Sequence, residues 1–244
     1  MDVLILAGGK GTRLKPYTTV IPKPLMPIGD HSILEIILRQ LCGAGAQHVV
    51  LAVGYMSHLF QAVFGDGKKF GLRISYLIED RPLGTAGTIV DALPMMGKDF
   101  LVMNGDVLTT LNFNDLIQTH VSSGSDATVA VNQREVAIDF GVIEMDGESH
   151  LTNYIEKPKH TFHVSMGINV LNANAVKPLL KTGSYLDMPE LILKLKESKR
   201  KVSCYAKQCY WLDIGRPSDF ETAQKVFLER ELEFVPSKRF RKVA

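Results

Sequence analysis

Cysteine is scarce and unpatterned. Cys42, Cys204 and Cys209 are odd in number and lack CxxC spacing, which excludes a disulfide framework and a cysteine-based zinc site. Cys42 falls in a helical pattern and Cys204 in a strand-like one, so both are expected to pack as small hydrophobes. No HExxH pair occurs, and His160 and His163 sit three apart in a loop-and-strand segment, off a common face. A histidine metal site is therefore not expected. Charge of one sign is also missing. A net charge of +2 and a pI near 8.3 give no basic footprint, so no nucleic-acid partner is expected. No apolar stretch approaches the ~20 residues of a membrane span. The run Val3–Ala7 follows Met1 without a cationic stretch and ends at Gly8-Gly9-Lys10, too short for a signal peptide. The expected compartment is the cytoplasm, with no membrane partner. Internal repeats and low-complexity linkers are absent too, and 244 residues of which 45% are hydrophobic suit a single domain with a sizeable core.

What is present is a rhythm. Short apolar runs at Val3–Ala7, His48–Val53, Leu72–Glu79 and Phe100–Asn104 read as strands. Helical patterns at Ile33–Ala44, His58–Phe64, Thr85–Leu93 and Phe113–Val121 fall between and after them. In the first helix Ile33, Ile36, Ile37 and Leu41 fall on one face. Such alternation predicts an α/β fold with a Rossmann-like, mainly parallel sheet flanked by helices. After Ser125 the rhythm changes. Ala127–Asn132, Gly141–Met145, Leu151–Ile155 and Phe162–Leu171 are strand-like with only turns between them, so antiparallel additions to the sheet edge or a small β-rich lobe are expected. Helices are predicted at Pro189–Glu197 and Pro217–Leu232, the second opening on proline in its first turn. The expected organisation is one domain over 1–236: a first half to 124, a β-rich half over 125–220, a C-terminal helix over 217–236 and a basic tail over 237–244.

The first strand runs into Gly8-Gly9-Lys10-Gly11-Thr12-Arg13, where glycines let successive backbone N–H groups converge on phosphate oxygens. Lys10 and Arg13 add charge, and Arg13 can grip phosphate with its fork. A plain glycine turn is the alternative for a lone loop of this kind. It is no Walker A motif, because the Gly-Lys-Ser/Thr triplet never appears. Nor is it a dinucleotide fingerprint, because Pro16, Pro22, Pro24 and Pro27 forbid the regular helix that must follow. Pro22 and Pro24 are expected to hold Lys23 on an extended, stiff backbone beside the phosphate loop.

These residues, Leu6 to Leu14 and then Pro22-Lys23-Pro24-Leu25, resemble the opening of sugar-1-phosphate nucleotidyltransferases. Further blocks follow in the order of that family: Glu79 to Gly87, Asn104-Gly105-Asp106, Phe140 to Glu144, Ile155 to Pro158, Gly167 to Val170, and Trp211 to Pro217. They cover nearly the whole chain, and the Pro-Leu-Gly-Thr-Ala-Gly block is most similar to mannose-1-phosphate guanylyltransferases and related bacterial guanylyltransferases. Longer relatives add a β-helix domain that does not fit within this sequence. Ser165-Met166 stand where relatives often place Asn-Ala, near the sugar, which leaves the sugar open.

The resemblance implies a nucleotide-diphospho-sugar transferase fold with a sugar-binding portion in the second half. It implies an enzyme that makes an NDP-sugar and pyrophosphate from a nucleoside triphosphate, GTP favoured, and a sugar 1-phosphate such as mannose or heptose 1-phosphate. Thymidylyl, uridylyl or cytidylyl transfer is the alternative within the family, and a non-catalytic nucleotide-sugar-sensing subunit the alternative outside it. A homo-dimer is left open. By the same resemblance Mg²⁺ is the cofactor, held by Asp106 and Asp213, with Arg13, Lys23, Asp106 and Lys157 catalytic. Leu6, Ala7, Gly8, Gly9, Gly11, Thr12, Arg13, Lys23, Glu79, Pro82, Gly84, Thr85 and Asn104 are implied to bind nucleotide. Gly141, Glu156, Lys157, Gly167 and Asn169 are implied to bind the sugar phosphate. The structural alternative for either aspartate is a turn or helix-capping role.

Overall fold

A computed structural model describes residues 1–235; the basic tail over 237–244 lies outside them. The elements in chain order are β1 (Asp2–Leu6), β2 (Pro27–Ile28), β3 (His31–Ser32), α1 (Ile33–Gly43), β4 (His48–Val53), α2 (Ser57–Phe64) and β5 (Arg73–Ile78). Next come α3 (Gly84–Gly87), α4 (Ile89–Ala92), β6 (Asp99–Asn104), β7 (Val107–Thr109), α5 (Phe113–Ser123), β8 (Ala127–Ala137), β9 (Val142–Met145) and β10 (Leu151–Ile155). The chain continues through β11 (Lys159–Asn172), α6 (Ala173–Val176), α7 (Met188–Glu197), β12 (Val202–Tyr205), β13 (Trp211–Asp213) and α8 (Pro217–Phe234).

A 7-stranded sheet in the order β12-β8-β11-β6-β1-β4-β5 forms the centre, and only β11 runs against the others. Alternation along each strand sends side chains to two cores. Val3, Ile5, Val49, Leu51 and Val53 face one side with Ile36 and Leu41 of α1, Phe60 of α2, Leu116 of α5 and Phe227 of α8. Leu4, Val50, Ala52 and Val102 face the other with Ile89 of α4, Val176 of α6 and Leu191 and Leu195 of α7. All six residues of β4 are buried, as a central parallel strand covered on both faces requires. The ends of α1 and α5 are set locally: the side chains of Ser32 and Asn112 accept from the backbone N–H groups of Glu35 and Asp115. Among the described residues no helix is long and apolar enough to cross a membrane.

The mainly parallel sheet agrees with expectation, and the strands of the second half divide between that sheet and a separate pair. The inner parts of β8 and β11 extend the sheet, while their outer parts, paired Gln133↔His163 to Ala137↔Lys159, run on as a two-stranded ribbon, and β9 and β10 pair separately. Three details differ from the sequence reading. The helix predicted at Thr85–Leu93 is broken into α3, α4 and a 3-10 turn; Gly87 at the end of α3 favours no helix, and Pro94 in the last turn cannot continue a regular one. Lys23 does not sit on extended backbone. Pro22 is extended, but Lys23–Leu25 close a 3-10 turn through Leu25 N–H donating to the Pro22 carbonyl at 2.8 Å. Proline's fixed φ suits both conformations, so the sequence pattern did not separate them. Cys204 is exposed, because β12 is an edge strand whose alternation turns Tyr205 inward and Cys204 outward.

Candidate active site

The glycine loop lies at the carboxyl end of β1, where open α/β sheets bind ligands. No long helix follows it. The chain makes 3-10 turns at Thr12–Leu14, Tyr17–Thr19 and Lys23–Leu25 before α1 starts. Gly11 at φ +59° begins the first of these, with Thr18 and Lys23 packed so closely that a side chain at Gly11 would collide with them. The Thr18 hydroxyl closes the loop by donating to the Gly11 carbonyl at 2.8 Å.

A cavity of about 710 Å³ opens here, a size suited to a small-molecule ligand. Its lining includes every residue that the resemblance implies for nucleotide: Leu6, Ala7, Gly8, Gly9, Gly11, Thr12, Arg13, Lys23, Glu79, Pro82, Gly84, Thr85 and Asn104. Asp106 joins them. Glu79 continues from the end of β5 and adjoins Gly8, whose missing side chain leaves room for the carboxylate. Burial pushes the Glu79 carboxyl above its ordinary range.

At one end of this cavity charge is concentrated. The Lys23 ammonium, almost wholly buried, lies 2.5 Å from Asp106 Oδ2. The other oxygen of that carboxylate, Oδ1, is buried without a hydrogen-bond partner among the described residues. Asp213, a hundred residues away in sequence by order of magnitude, is delivered by strand pairing. β13 runs antiparallel to β7 with Asp213 opposite Val107, and the Ile214 N–H donates to the Asp106 carbonyl at 3.1 Å. Asp213 keeps part of its surface in solvent, yet the protein crowded around it pushes its carboxyl up, and the negative charge of Asp106 adds to this. Lys23 and Arg13 oppose that shift. Asp219 anchors the turn after Asp213, accepting from Gly215 N–H at 3.1 Å and Arg216 N–H at 2.7 Å.

An unpartnered buried carboxylate oxygen beside a second carboxylate fits a divalent cation, which takes hard oxygen ligands and leaves places for phosphate and water. Asp106 and Asp213 are the residues that could hold it. No group of three or more His, Cys, Asp or Glu side chains fit to hold a metal occurs among the described residues. Two carboxylates suffice only if the ligand brings oxygens of its own.

The residues implied for the sugar phosphate are not gathered in the same way. Glu156 and Lys157 are exposed at the turn between β10 and β11, Lys157 with φ +45°, and neither lines the cavity. Gly141 precedes β9, and a side chain there would meet the Tyr154 ring at 2.6 Å. Gly167, at φ +70°, stands in a register shift of the β8–β11 pair and packs against the Asn104 amide, where a Cβ would come within 2.6 Å of Nδ2. That bulge joins the two sets of residues. Asn169 is buried in β11, its Oδ1 without a partner among the described residues. Of the pair that departs from relatives, Met166 is core and only Ser165 is exposed.

Some lining residues escaped the sequence reading. Ala52, Gly54 and Tyr55 come from the end of β4 and the residues after it, Arg81 from beside Pro82, and Tyr185 and Asp187 from the segment before α7. Asp187 precedes the helix predicted at Pro189–Glu197, and nothing in the sequence marks it as part of the cavity.

Known proteins resemble this chain in sequence and in fold. The chain is 32% identical over 225 residues to a mannose-1-phosphate guanylyltransferase of Mycobacterium tuberculosis, a match covering 90% of this chain and 62% of that protein. It is 30% identical to the catalytic subunit beta of mannose-1-phosphate guanylyltransferase of Danio rerio, covering 98% of this chain and 68% of the relative. The chain thus spans about two thirds of the length of the curated relatives it matches. Among solved structures, HddC from Yersinia pseudotuberculosis complexed with GMP-PN superposes with a TM-score of 0.73 at 25% identity, covering 93% of this chain and 99% of that one. A putative glucose-1-phosphate thymidylyltransferase from Bacillus anthracis has the same fold, with a TM-score of 0.74 at 20% identity over 93% of this chain and 94% of its own. The fold is therefore that of the nucleotide-diphospho-sugar transferases. With a sequence profile described as Nucleotidyl transferase matching residues 2–230, the chain belongs to the nucleotidyl transferase family.

Proposed function

We propose that this chain transfers a nucleotidyl group, guanylyl by preference, from a nucleoside triphosphate to a sugar 1-phosphate and releases pyrophosphate. The observation that carries the reading is the junction of the nucleotide-sized cavity with the Lys23, Asp106 and Asp213 cluster at its charged end. The reaction forms a bond from a sugar-phosphate oxygen to the α-phosphorus and breaks the bond to the β-phosphate oxygen. The attacking oxygen is already anionic, so alignment and charge neutralisation are needed rather than a strong base.

The chain's own groups divide that work. Backbone N–H groups of Gly8 to Thr12 cradle phosphates, and Arg13 and Lys23 neutralise them. Mg²⁺, held by Asp106 and Asp213, would supply further charge neutralisation at the phosphates. Lys157 and Glu156, on the exposed β10–β11 turn, are assigned the phosphate and hydroxyls of the sugar, with Gly141, Gly167 and Asn169 beside it.

Glu79 favours guanine. A carboxylate accepts two hydrogen bonds, and guanine presents adjacent N1–H and N2–H donors on one edge. Uracil and thymine offer a single N–H between two carbonyls, and cytosine pairs its amino group with an acceptor nitrogen. The half-buried Glu79 carboxyl lines the cavity, and guanine alone among these bases offers it two adjacent donors. Mannose or heptose 1-phosphate is the proposed acceptor, after the names of the relatives. A pyrophosphate-release assay over GTP, UTP, dTTP and CTP against a panel of sugar 1-phosphates tests the reading. GTP should be used best, and absence of pyrophosphate with every pair refutes the transferase.

A further inference from the structure

The segment from Gly183 to Asp187 is hydrogen-bonded at Gly183, Leu186 and Asp187 to the stretch from Arg81 to Gly87. The Leu186 N–H donates to the Leu83 carbonyl at 2.9 Å, and the Leu186 carbonyl accepts from Ala86 N–H at 2.9 Å and Gly87 N–H at 3.0 Å. Arg81 Nη2 donates to the Gly183 carbonyl at 2.7 Å. Gly84, at φ +77°, lies so close to this segment that a side chain on it would come within 2.9 Å of Asp187 Oδ1. Asp187 is the junction. Its Oδ1 accepts from the Thr85 N–H at 3.0 Å and the Thr85 hydroxyl at 3.2 Å, and its Oδ2 accepts from the Tyr185 hydroxyl at 2.8 Å.

Asp187 occupies the N-cap position of α7 yet makes no side-chain cap bond. A capping aspartate ordinarily accepts from the first backbone N–H groups of its helix. Here the carboxylate is turned instead to Thr85 and Tyr185, and its bond from the Thr85 N–H, then that from Tyr185, holds its carboxyl below the ordinary range. Tyr185 itself is 65% exposed although it lines the cavity. An aromatic ring left in solvent, its hydroxyl fixed by a carboxylate, is placed for a ligand rather than for the core.

Charge decides which part of the ligand meets it. The cations Lys10, Arg13 and Lys23 line the cavity around the glycine loop, with Glu79 against Gly8 and Asp106 paired to Lys23, whereas Asp80, Asp187 and one cation, Arg81, stand with Tyr185 about the Pro82–Thr85 segment. Phosphates are repelled from the second group and drawn to the first. We propose that Tyr185 contacts the nucleoside face of the bound triphosphate, and that Asp187 is the positioning residue that orients this ring and pins the Gly84-Thr85 turn against the same nucleoside. The inference rests on the nucleotidyl-transfer reading and adds to it a wall from the second half of the chain.

Calorimetric titration of the full chain with Mg²⁺ and GTP, UTP, dTTP or CTP, scored on whichever binds tightest, tests this, with inorganic tripolyphosphate as a probe lacking the nucleoside. Tyr185→Ala is expected to weaken nucleotide binding about 5- to 20-fold, the low end for loss of an aromatic stacked on one base. It should leave tripolyphosphate within about twofold, and Tyr185→Phe, which keeps the ring but loses the hydroxyl that Asp187 holds, should fall between wild type and Tyr185→Ala for nucleotide. Asp187→Asn, which keeps an acceptor for the Thr85 N–H, should bind nucleotide more tightly than Asp187→Ala. Wild-type nucleotide binding by Tyr185→Ala overturns the proposal, as does an equal loss of tripolyphosphate or an equal defect in Tyr185→Phe. Those results would leave the transferase reading standing. A wild-type chain that binds none of the four triphosphates removes both.

Discussion

Replacing Lys23 with methionine strips the ammonium from the Asp106 pair while keeping most of the volume of a side chain only 10% exposed. The 2.5 Å contact is then lost and the Asp106 carboxylate stands with neither oxygen paired, since Oδ1 already has no partner among the described residues. Breaking a buried ion pair by removing one partner costs about 3–5 kcal/mol. Asp106 is 25% exposed at its side chain, so water screens part of the stranded charge and the expected loss lies near the low end, about 3 kcal/mol. For a chain of this size that corresponds to a fall in Tm of about 6–12 °C. Thermal melts by circular dichroism in EDTA at neutral pH measure it. Asp106→Asn in the same chain should recover at least half of the loss, because it removes the stranded charge. Mn²⁺ or Mg²⁺ at millimolar concentration should lift the Tm of Lys23→Met more than that of wild type, since the cation replaces the lost ammonium. A Lys23→Met chain that melts within a degree of wild type in EDTA refutes the reasoning, and so does a double variant that recovers nothing.

Asp213→Asn should raise Tm slightly at pH 8, by about 1–2 °C given solvent screening at its exposed side. The sign follows from the upward shift of its carboxyl: the folded chain holds that proton more tightly than the unfolded one, so ionising Asp213 costs stability as pH rises through its shifted range. The gain from asparagine should therefore vanish as pH falls to the ordinary carboxylate value, and a gain that grows in acid contradicts the assignment. Lys157→Ala should raise the sugar 1-phosphate KM and lower kcat about 10-fold or more, as expected for loss of a charged contact to phosphate, with nucleotide affinity within about twofold. An equal loss of nucleotide binding by calorimetry would count against the division of labour. Glu79→Gln should narrow the preference for GTP over UTP by about 10-fold or more in kcat/KM, because an amide presents a donor where guanine also donates. An unchanged GTP-to-UTP ratio removes Glu79 from base selection.

The nucleotide half of the site was legible because its residues are contiguous and of special type. Gly8, Gly9 and Gly11 after an apolar strand, and Gly84-Thr85 opening a short helix, all line one cavity, as their motifs imply. Tyr185 and Asp187 were not legible. In sequence they precede a helix, and a cap is the ordinary reading of such an aspartate; only the close approach of two loops reveals the carboxylate's other partners. The sugar half stands between these cases. Glu156 and Lys157 sit where the motif places them along the chain, but on an exposed turn outside the cavity lining. Gly167, by contrast, reaches Asn104 through a bulge that no periodicity shows.

Local chemistry along the chain determined the elements: apolar runs of strand length, the one-sided stripe of α1, prolines that bar a helix after Gly11, and glycines where the backbone turns left-handed. These depend on neighbours a few residues away and can be read in order. The tertiary structure decided which distant groups share a field. Strand order set β11 against its neighbours, and the β7–β13 pairing brought Asp213 to Asp106. The partnership of Lys23 with Asp106, the raised carboxyls of Glu79 and Asp213, and the hold of Asp187 on Thr85 exist only once the sheet is assembled. Coulomb interactions and desolvation depend on separation in space and exclusion of water, and neither is written in sequence spacing.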